Sequence, residues 1–505
     1  MYIYKQIVFH KRKEYIFIME RKSYDVIVCG GGTSGTAAAV AAARGGAKTL
    51  LIERNGALGG QMNVSGPPGF SYANLFNGYD EQVIAGFAEE MHSRLLKEGH
   101  AYKHDLNLYR THSGYTFSYV DPDWWGLEIF EVMTENKVDL LLHTLVVDVQ
   151  KNGDAVNGVI VENANGRLVI EAKVVIDCTG EGDIAVRAGC DYELLPREEC
   201  EPQTVCFTMG GVDWDKMIDY IHENPDQILY SGPDEGQCGD YPKRSLEEHY
   251  EIMRNITNIM DYGDLRGFYK IMDEALKNGD WHEYSGVGFF LMPREGGEIQ
   301  AHMQHSSQVP NCWSCDAWDL TRAEVECRHQ IIIALKFFRK YMPGFENAYL
   351  VRTGVELRLR EGRRIMCDYK ITGKDVVEGR RFDDCIGKNQ FAAGAVHVAN
   401  NQTIEVRSGE ALGKPPKGGT NDIPYRCMVP LKVENMLVAG KHVSTDRAAY
   451  MRFLMQTVVT GQAAGVAAGL CVKHGVSPRE IEQETYVKEM QEILRQQGAI
   501  LDGVH

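Results

Sequence analysis

The sequence predicts an α/β fold, and two observations predict it: a β-branched strand that runs into a glycine loop and a helix, and a second strand that ends on an acid. Tyr24 to Cys29 is the strand, with Val26, Ile27 and Val28 at its centre. Gly30, Gly31, Gly32, Thr33, Ser34 and Gly35 follow, and Thr36 to Gly45 is Ala-rich with helical pattern. Strand, G-x-G-x-x-G and helix in this order form a Rossmann-like, dinucleotide-binding unit. Gly30 permits the tight turn, and Gly32 brings the backbone at Thr33 and Ser34 close to a pyrophosphate at the helix N-terminus. Gly35 lets helix and strand pack closely. Ala47 to Ile52 is the second strand, and it delivers Glu53 to the place where a ribose hydroxyl is bound.

Length and charge limit the alternatives. A chain of 505 residues, at roughly 150 per domain, is long enough for two to four domains with full cores. Acidic residues number 70 against 54 basic ones, a formal charge of -16 that disfavours a nucleic-acid partner. Thirteen scattered Cys residues do not resemble the even framework of a secreted disulfide domain, so a reducing, cytoplasmic location is expected. The most apolar late stretch, Val458 to Val472, is too short for a membrane span, and no membrane partner is expected. Met1 to Ile18 mixes aromatics with Lys5, Lys11, Arg12 and Lys13 and reads as an N-terminal extension, residues 1–18.

Further motifs specify the nucleotide. Glu53-Arg54 is followed by Leu58-Gly59-Gly60-Gln61. Lys173 to Gly180 reads KVVIDCTG and continues as Glu181-Gly182-Asp183. Asn435 to Lys441 reads NMLVAGK, and Gly461 to Gly465 reads GQAAG. In this order the motifs resemble two-dinucleotide-binding-domain flavoproteins, and the resemblance implies FAD as the cofactor. It also implies contacts from Glu53, Arg54, Gly59, Gly60, Gln61, Thr179, Gly180, Asp183, Gly440, Gln462 and Ala463. Arg360-Glu361-Gly362-Arg363-Arg364, Gly379 to Asp384 and Ile423 to Arg426 resemble the FAD-dependent oxidoreductase family related to the fumarate reductase and succinate dehydrogenase flavoproteins. Two departures stand out. Gln61-Met62-Asn63-Val64 replaces the histidine-bearing stretch of those enzymes, so neither covalent flavin attachment nor dicarboxylate specificity carries over. Gly362 stands where the family has Ser.

The resemblance implies a discontinuous FAD-binding domain of glutathione-reductase type, residues 19–205 and 431–479, with an inserted α+β substrate or cap domain at 206–430. Residues 480–505 read as a polar C-terminal helix. The expected chemistry is hydride exchange between flavin N5 and a small organic substrate at a C-C, C-O or C-N bond. A flavin monooxygenase, or an electron-transfer subunit that needs a partner, is the alternative. A homo-oligomer or a redox partner is a further expectation.

Three residues are candidates for catalysis. His442 lies in the loop after the late strand and titrates near neutrality. Arg452 precedes the GQAAG helix, whose N-terminus, placed near Gly461, would face the flavin's pyrimidine edge. Arg363 belongs to an Arg cluster that serves either FAD phosphates or substrate, or forms an internal ion-pair network. Cys312-Trp313-Ser314-Cys315 has redox or half-zinc spacing without a second pair, so no metal is expected.

Overall fold

The computed structural model describes residues 22–65, 72–73, 75–77, 79–104, 117–228, 245–262, 264–282, 284–396, 405–406, 413, 415–416, 419–503 and 505. The expected extension 1–18 lies outside them.

Five parallel strands organise the first layer. β1 (Lys22–Cys29) pairs on one side with β2 (Thr49–Ile52), and β2 pairs with β3 (Asp139–Leu141). Its other side pairs with β6 (Gly166–Asp177), with Cys29 opposite Asp177. The 12 residues of β6 serve two further partners besides β1. Its first half closes an antiparallel meander with β4 (Leu145–Asn152) and β5 (Ala155–Asn163), and Val175 to Asp177 pair with β12 (Met436–Val438). The sheet therefore takes strands from both ends of the chain. β2 and the second half of β1 are buried, as expected of parallel strands covered on both faces.

Helix α1 (Thr33–Arg44) leaves the glycine loop and packs against α4 (Leu454–His474). Small residues set the spacing: a Cβ on Gly461 would come 2.1 Å from Ser34 O, and one on Gly465 2.2 Å from Ala38 O. By length and composition α4 could cross a membrane, yet 89% of its apolar window is buried inside the protein. It starts seven residues before the Gly461 position expected from sequence. Gln456 accepts from the Phe453 N–H in its first turn, and Leu454 to Thr460 continue directly into GQAAG.

A second, antiparallel sheet is built between these segments. Its order is β8 (Asp264–Gly267), β9 (Val287–Pro293), β10 (Ile299–Met303), β7 (Phe207–Gly210) and β11 (Tyr349–Thr353). It carries its own core, in which Phe207, Phe289, Phe337, Phe338 and Phe345 pack with Trp281. Helix α3 (Ala317–Tyr341) covers it, capped by the Asp316 side chain, which accepts from Trp318 N and Asp319 N. Helix α2 (Leu246–Asn255) belongs to the same region and is followed by a 3-10 turn at Ile259–Tyr262. The C-terminal helix α5 spans Glu484–Gln496, after a separate 3-10 turn at Pro478–Glu482.

Candidate active site

The carboxyl ends of β1, β2, β6 and β12 open into one cleft, the usual ligand position in open parallel sheets. Its floor is the glycine loop. Gly30 has φ +103°, and a Cβ there would lie 2.5 Å from Cys178 O. A Cβ on Gly35 would lie 1.8 Å from Gly30 O, so Gly35 packs behind the loop and does not line the cleft. Gly32 differs: a Cβ there meets nothing within 4 Å, because the residue faces the cleft itself. As N-cap of α1 it provides no side-chain cap, and the first turn holds no acid, so the positive helix end is open to an anion.

The acid after β2 steadies this loop. Glu53 accepts from Gly31 N at 2.7 Å with one oxygen and from Asn55 N at 2.8 Å with the other, while still lining the cleft. Gly59 donates to Gly31 O at 2.8 Å but sits behind Gly60, where a Cβ would strike Trp125 at 2.7 Å. Across the cleft, buried Asp177 accepts from Thr179 N and Oγ1 and from Ile184 N and Ala185 N, which fixes the turn that presents Thr179, Gly180 and Asp183. Gln61 lines the cleft with a buried Oε1 that has no hydrogen-bond partner among the described residues.

The family model described as FAD dependent oxidoreductase matches residues 25–494. The chain belongs to this family. FAD is its cofactor, and the protein is an enzyme. It is similar to the digeranylgeranylglycerophospholipid reductase of Picrophilus torridus, 26% identical over 49% of this chain and 60% of that one. Digeranylgeranylglycerophospholipid reductase 1 of Methanococcoides burtonii is 25% identical over 40% of this chain and 48% of its own. The matched stretch thus spans about half to three fifths of each relative. Among solved structures, a geranylgeranyl bacteriochlorophyll reductase-like protein from Thermoplasma acidophilum aligns with TM-score 0.45 and 12% identity, covering 94% of this chain and 84% of that one.

The cleft of this oxidoreductase fits FAD on three counts: an uncapped helix end, a glycine whose missing side chain leaves open space, and an orphaned buried polar atom at Gln61. Twelve of the residues expected at the cofactor line it: Gly30, Gly32, Thr33, Ser34, Glu53, Arg54, Gly60, Gln61, Thr179, Gly180, Asp183 and Gly440. Gln462 and Ala463 do not. They lie two turns inside α4, and Gln462 Oε1 accepts from Phe87 N at 3.1 Å, so it braces a neighbouring helix. Leu454 and Thr457, from the true first turn, line the cleft in their place, and Thr457 Oγ1 lies 2.9 Å from Thr33 Oγ1.

The catalytic candidates separate. His442 is fully buried outside the cleft, with Nε2 3.1 Å from Asp177 O; burial holds its pKa below the ordinary imidazole value. A packed, neutral ring facing a strand end cannot reach a substrate. Arg363 is also displaced, since its guanidinium turns to Asp183 at 2.8 Å and Glu181 O, leaving it behind the cleft wall. Arg364 faces the buried Glu361 at 3.7 Å. Arg452 does line the cleft, paired to Glu201 at 3.0 Å, and Arg358 and Arg360 lie beside it.

The motifs contain, without marking as functional, a buried pair on the cleft wall: Lys441 Nζ donates to Glu181 Oε1. Burial disfavours the ammonium, but the Glu181 carboxylate outweighs it and holds the Lys441 pKa above its ordinary value. Ser314, between the two cysteines of the C-x-x-C, donates to Glu181 Oε2 at 2.6 Å. This explains Gly362: a Cβ there would lie 1.9 Å from Glu181 Oε2 and 2.4 Å from Ser314 Oγ. The hydroxyl missing at 362 is thus matched by one arriving from the second sheet's side. Gly362→Ser is expected to lower stability by about 1–3 kcal/mol, read as a shift in the urea midpoint, with Ser314→Ala recovering part of the loss.

Buried imidazoles make the fold acid-sensitive. Burial, then the Arg358 and Arg352 charges, hold His302 down at about 3, and burial holds His282 at about 4. In the unfolded chain both titrate near 6.5. Between those values the unfolded state binds more protons, so the contribution is complete above pH 6.5 and is lost as pH falls toward 4. His302 alone is expected to cost about 2 kcal/mol at pH 5. Denaturant midpoints at pH 7.5 and 5 check this, and His302→Gln should reduce the difference.

Proposed function

We propose that this FAD-dependent oxidoreductase transfers a hydride between its flavin and a small organic molecule bound at the arginine-lined end of the cleft. The observation that carries the reading is the continuity of the cleft, from the open α1 end at Gly32 to Arg452, Leu454 and Thr457 at the start of α4. Segments 19–205 and 431–479 form, in this reading, a nucleotide-binding domain of glutathione-reductase type, and 206–430 forms the cap over the substrate. When bound, FAD supplies the hydride donor or acceptor. The first N–H groups of α1 would hold the diphosphate, and the Glu53 carboxylate would take the ribose hydroxyls. The positive end of α4 would favour negative charge on a flavin bound at that end of the cleft. Lys441, kept protonated by Glu181, adds a fixed cation on the same wall. The curated relatives are reductases by name, which supports hydride transfer over oxygen activation.

The test is anaerobic spectroscopy of the purified holoenzyme. Visible flavin absorption is followed while alcohols, amines and organic acids are added, and reoxidation of chemically reduced enzyme is followed with alkene and ketone acceptors. Bleaching by one donor, or reoxidation by one acceptor much faster than by oxygen, supports the reading. Reoxidation only by oxygen, with oxygen incorporated into a substrate, overturns it in favour of a monooxygenase.

A further inference from the structure

We infer that the substrate carries a carboxylate, held at the inner end of the cleft by Arg358 and Arg360 with Arg452 beside them; this rests on the hydride-transfer reading of the same cleft. The two arginines sit two residues apart on an extended segment. Arg358 N donates to Thr204 O at 2.7 Å, and Arg360 N donates to Gln203 Oε1 at 3.2 Å. Side chains at i and i+2 of an extended segment share a face, and here both line the cleft.

Their positive charge is only partly balanced, since one carboxylate, Glu201, faces three arginines, Arg358, Arg360 and Arg452. Each acid that lines the cleft is already engaged: Glu53 by two backbone N–H groups, Glu181 by Lys441 and Ser314, Asp183 by Arg363, and Glu356 by Arg54 at 2.5 Å. Glu201 pairs with Arg452 at 3.0 Å, and its charge also supports Arg358 and Arg360. Arg360 is only 2% exposed, yet its Nε and Nη1 have no hydrogen-bond partner among the described residues, and neither does Arg358 Nη1. Among the described residues the Arg360 guanidinium hydrogen-bonds through Nη2 to His305 Nδ1 at 3.3 Å. Burial and the surrounding arginines hold His305 well below its ordinary pKa, so the imidazole is neutral and compensates nothing. Burial and the Arg358 and Arg452 charges likewise press Arg360 down to about 9.

A buried guanidinium whose N–H groups lack acceptors is strongly disfavoured unless function retains it. Two planar forks facing one cavity match a carboxylate, which accepts paired N–H groups in a plane. The diphosphate of FAD is an unlike occupant here, because the uncapped α1 end at Gly32 provides its place on the opposite, nucleotide-binding side of the cleft.

The experiment titrates the FAD-loaded enzyme with acetate, glycolate, malate and gluconate, with their amides, and with inorganic phosphate, reading the visible flavin spectrum. The expected result is a saturable perturbation by at least one carboxylate, more than tenfold tighter than by its amide or by phosphate. Arg358→Met and Arg360→Met should each weaken that binding more than tenfold with FAD content unchanged. With no ligand present, their thermal midpoints should equal or exceed wild type, since a desolvated, only partly balanced cation has been removed. Perturbation by amides as strong as by carboxylates, by phosphate best of all, or by no carboxylate overturns the inference. So does a variant that loses FAD, which would assign these arginines to the cofactor, or one with a lower thermal midpoint and unchanged carboxylate affinity. Failure of the wild-type protein to bind FAD is separately visible and would remove the hydride-transfer reading itself.

Discussion

Gly32→Val is expected to empty the cleft of FAD while leaving the fold standing. The residue has φ -72° and ψ -174°, an extended backbone that valine adopts readily, and a Cβ there meets no protein atom within 4 Å. The added side chain therefore disturbs nothing in the apoprotein. It projects instead into the space before the α1 N–H groups, where a diphosphate must approach to hydrogen-bond distance. The expected loss is at least about 3 kcal/mol of binding, roughly a hundredfold in affinity. Flavin absorbance per chain after purification measures it, and the thermal midpoint of the FAD-free variant should match that of FAD-free wild type. A variant that retains full flavin content would remove the phosphate-loop assignment.

Gly461→Ala is expected to do the reverse and damage the fold itself. In an ordinary helix interior this change adds about 1 kcal/mol of stability, because glycine is the poorer helix former. Here the new Cβ would lie 2.1 Å from Ser34 O and 2.9 Å from Ser34 Cα, and backbone cannot yield as a flexible side chain does. α4 must move off α1, opening the contact that holds the glycine loop against the sheet. The expected cost is about 3 kcal/mol or more, seen as a lowered urea midpoint or loss of soluble protein. The sign decides the question: a variant as stable as wild type would mean that the two helices do not approach as closely as described.

Residues separated by several hundred positions reveal how much the sequence carried. Val26 to Cys29 was recognisable as a strand because a parallel sheet buried on both faces demands near-continuous apolar runs, whereas Val174 to Asp177 and Met436 to Val438 were recognised through their resemblance to flavoprotein motifs. Glu53 and the glycine loop were legible for a similar reason, since a tight turn before a helix leaves little choice of residue. The start of α4 was not. Leu454 to Thr460 includes Thr457, Val458, Val459 and Thr460, β-branched residues with weak helix preference, and burial against α1 overrides that preference. The arginines show a different limit. Arg360, Arg363 and Arg364 look alike in sequence, but only the first reaches the cleft, together with Arg358. Pairing with Thr204 sets which face of the segment looks inward. His442 failed as a catalytic candidate because its neutral ring is packed beneath Asp177, and burial is not a property of the residue or its motif.

The sequence by itself determined the α/β class, the glycine loop and its acid, because these depend on local backbone geometry that only certain residues permit; FAD followed from the resemblance of the ordered motifs to known flavoproteins. The tertiary structure alone decided which side chains share the cleft: the Lys441 and Glu181 pair, Ser314 filling the space that Gly362 leaves, and Arg358 with Arg360 facing inward with N–H groups that lack partners among the described residues. Those depend on charge balance and steric fit between segments far apart in the chain, and such distances exist only once both sheets have formed.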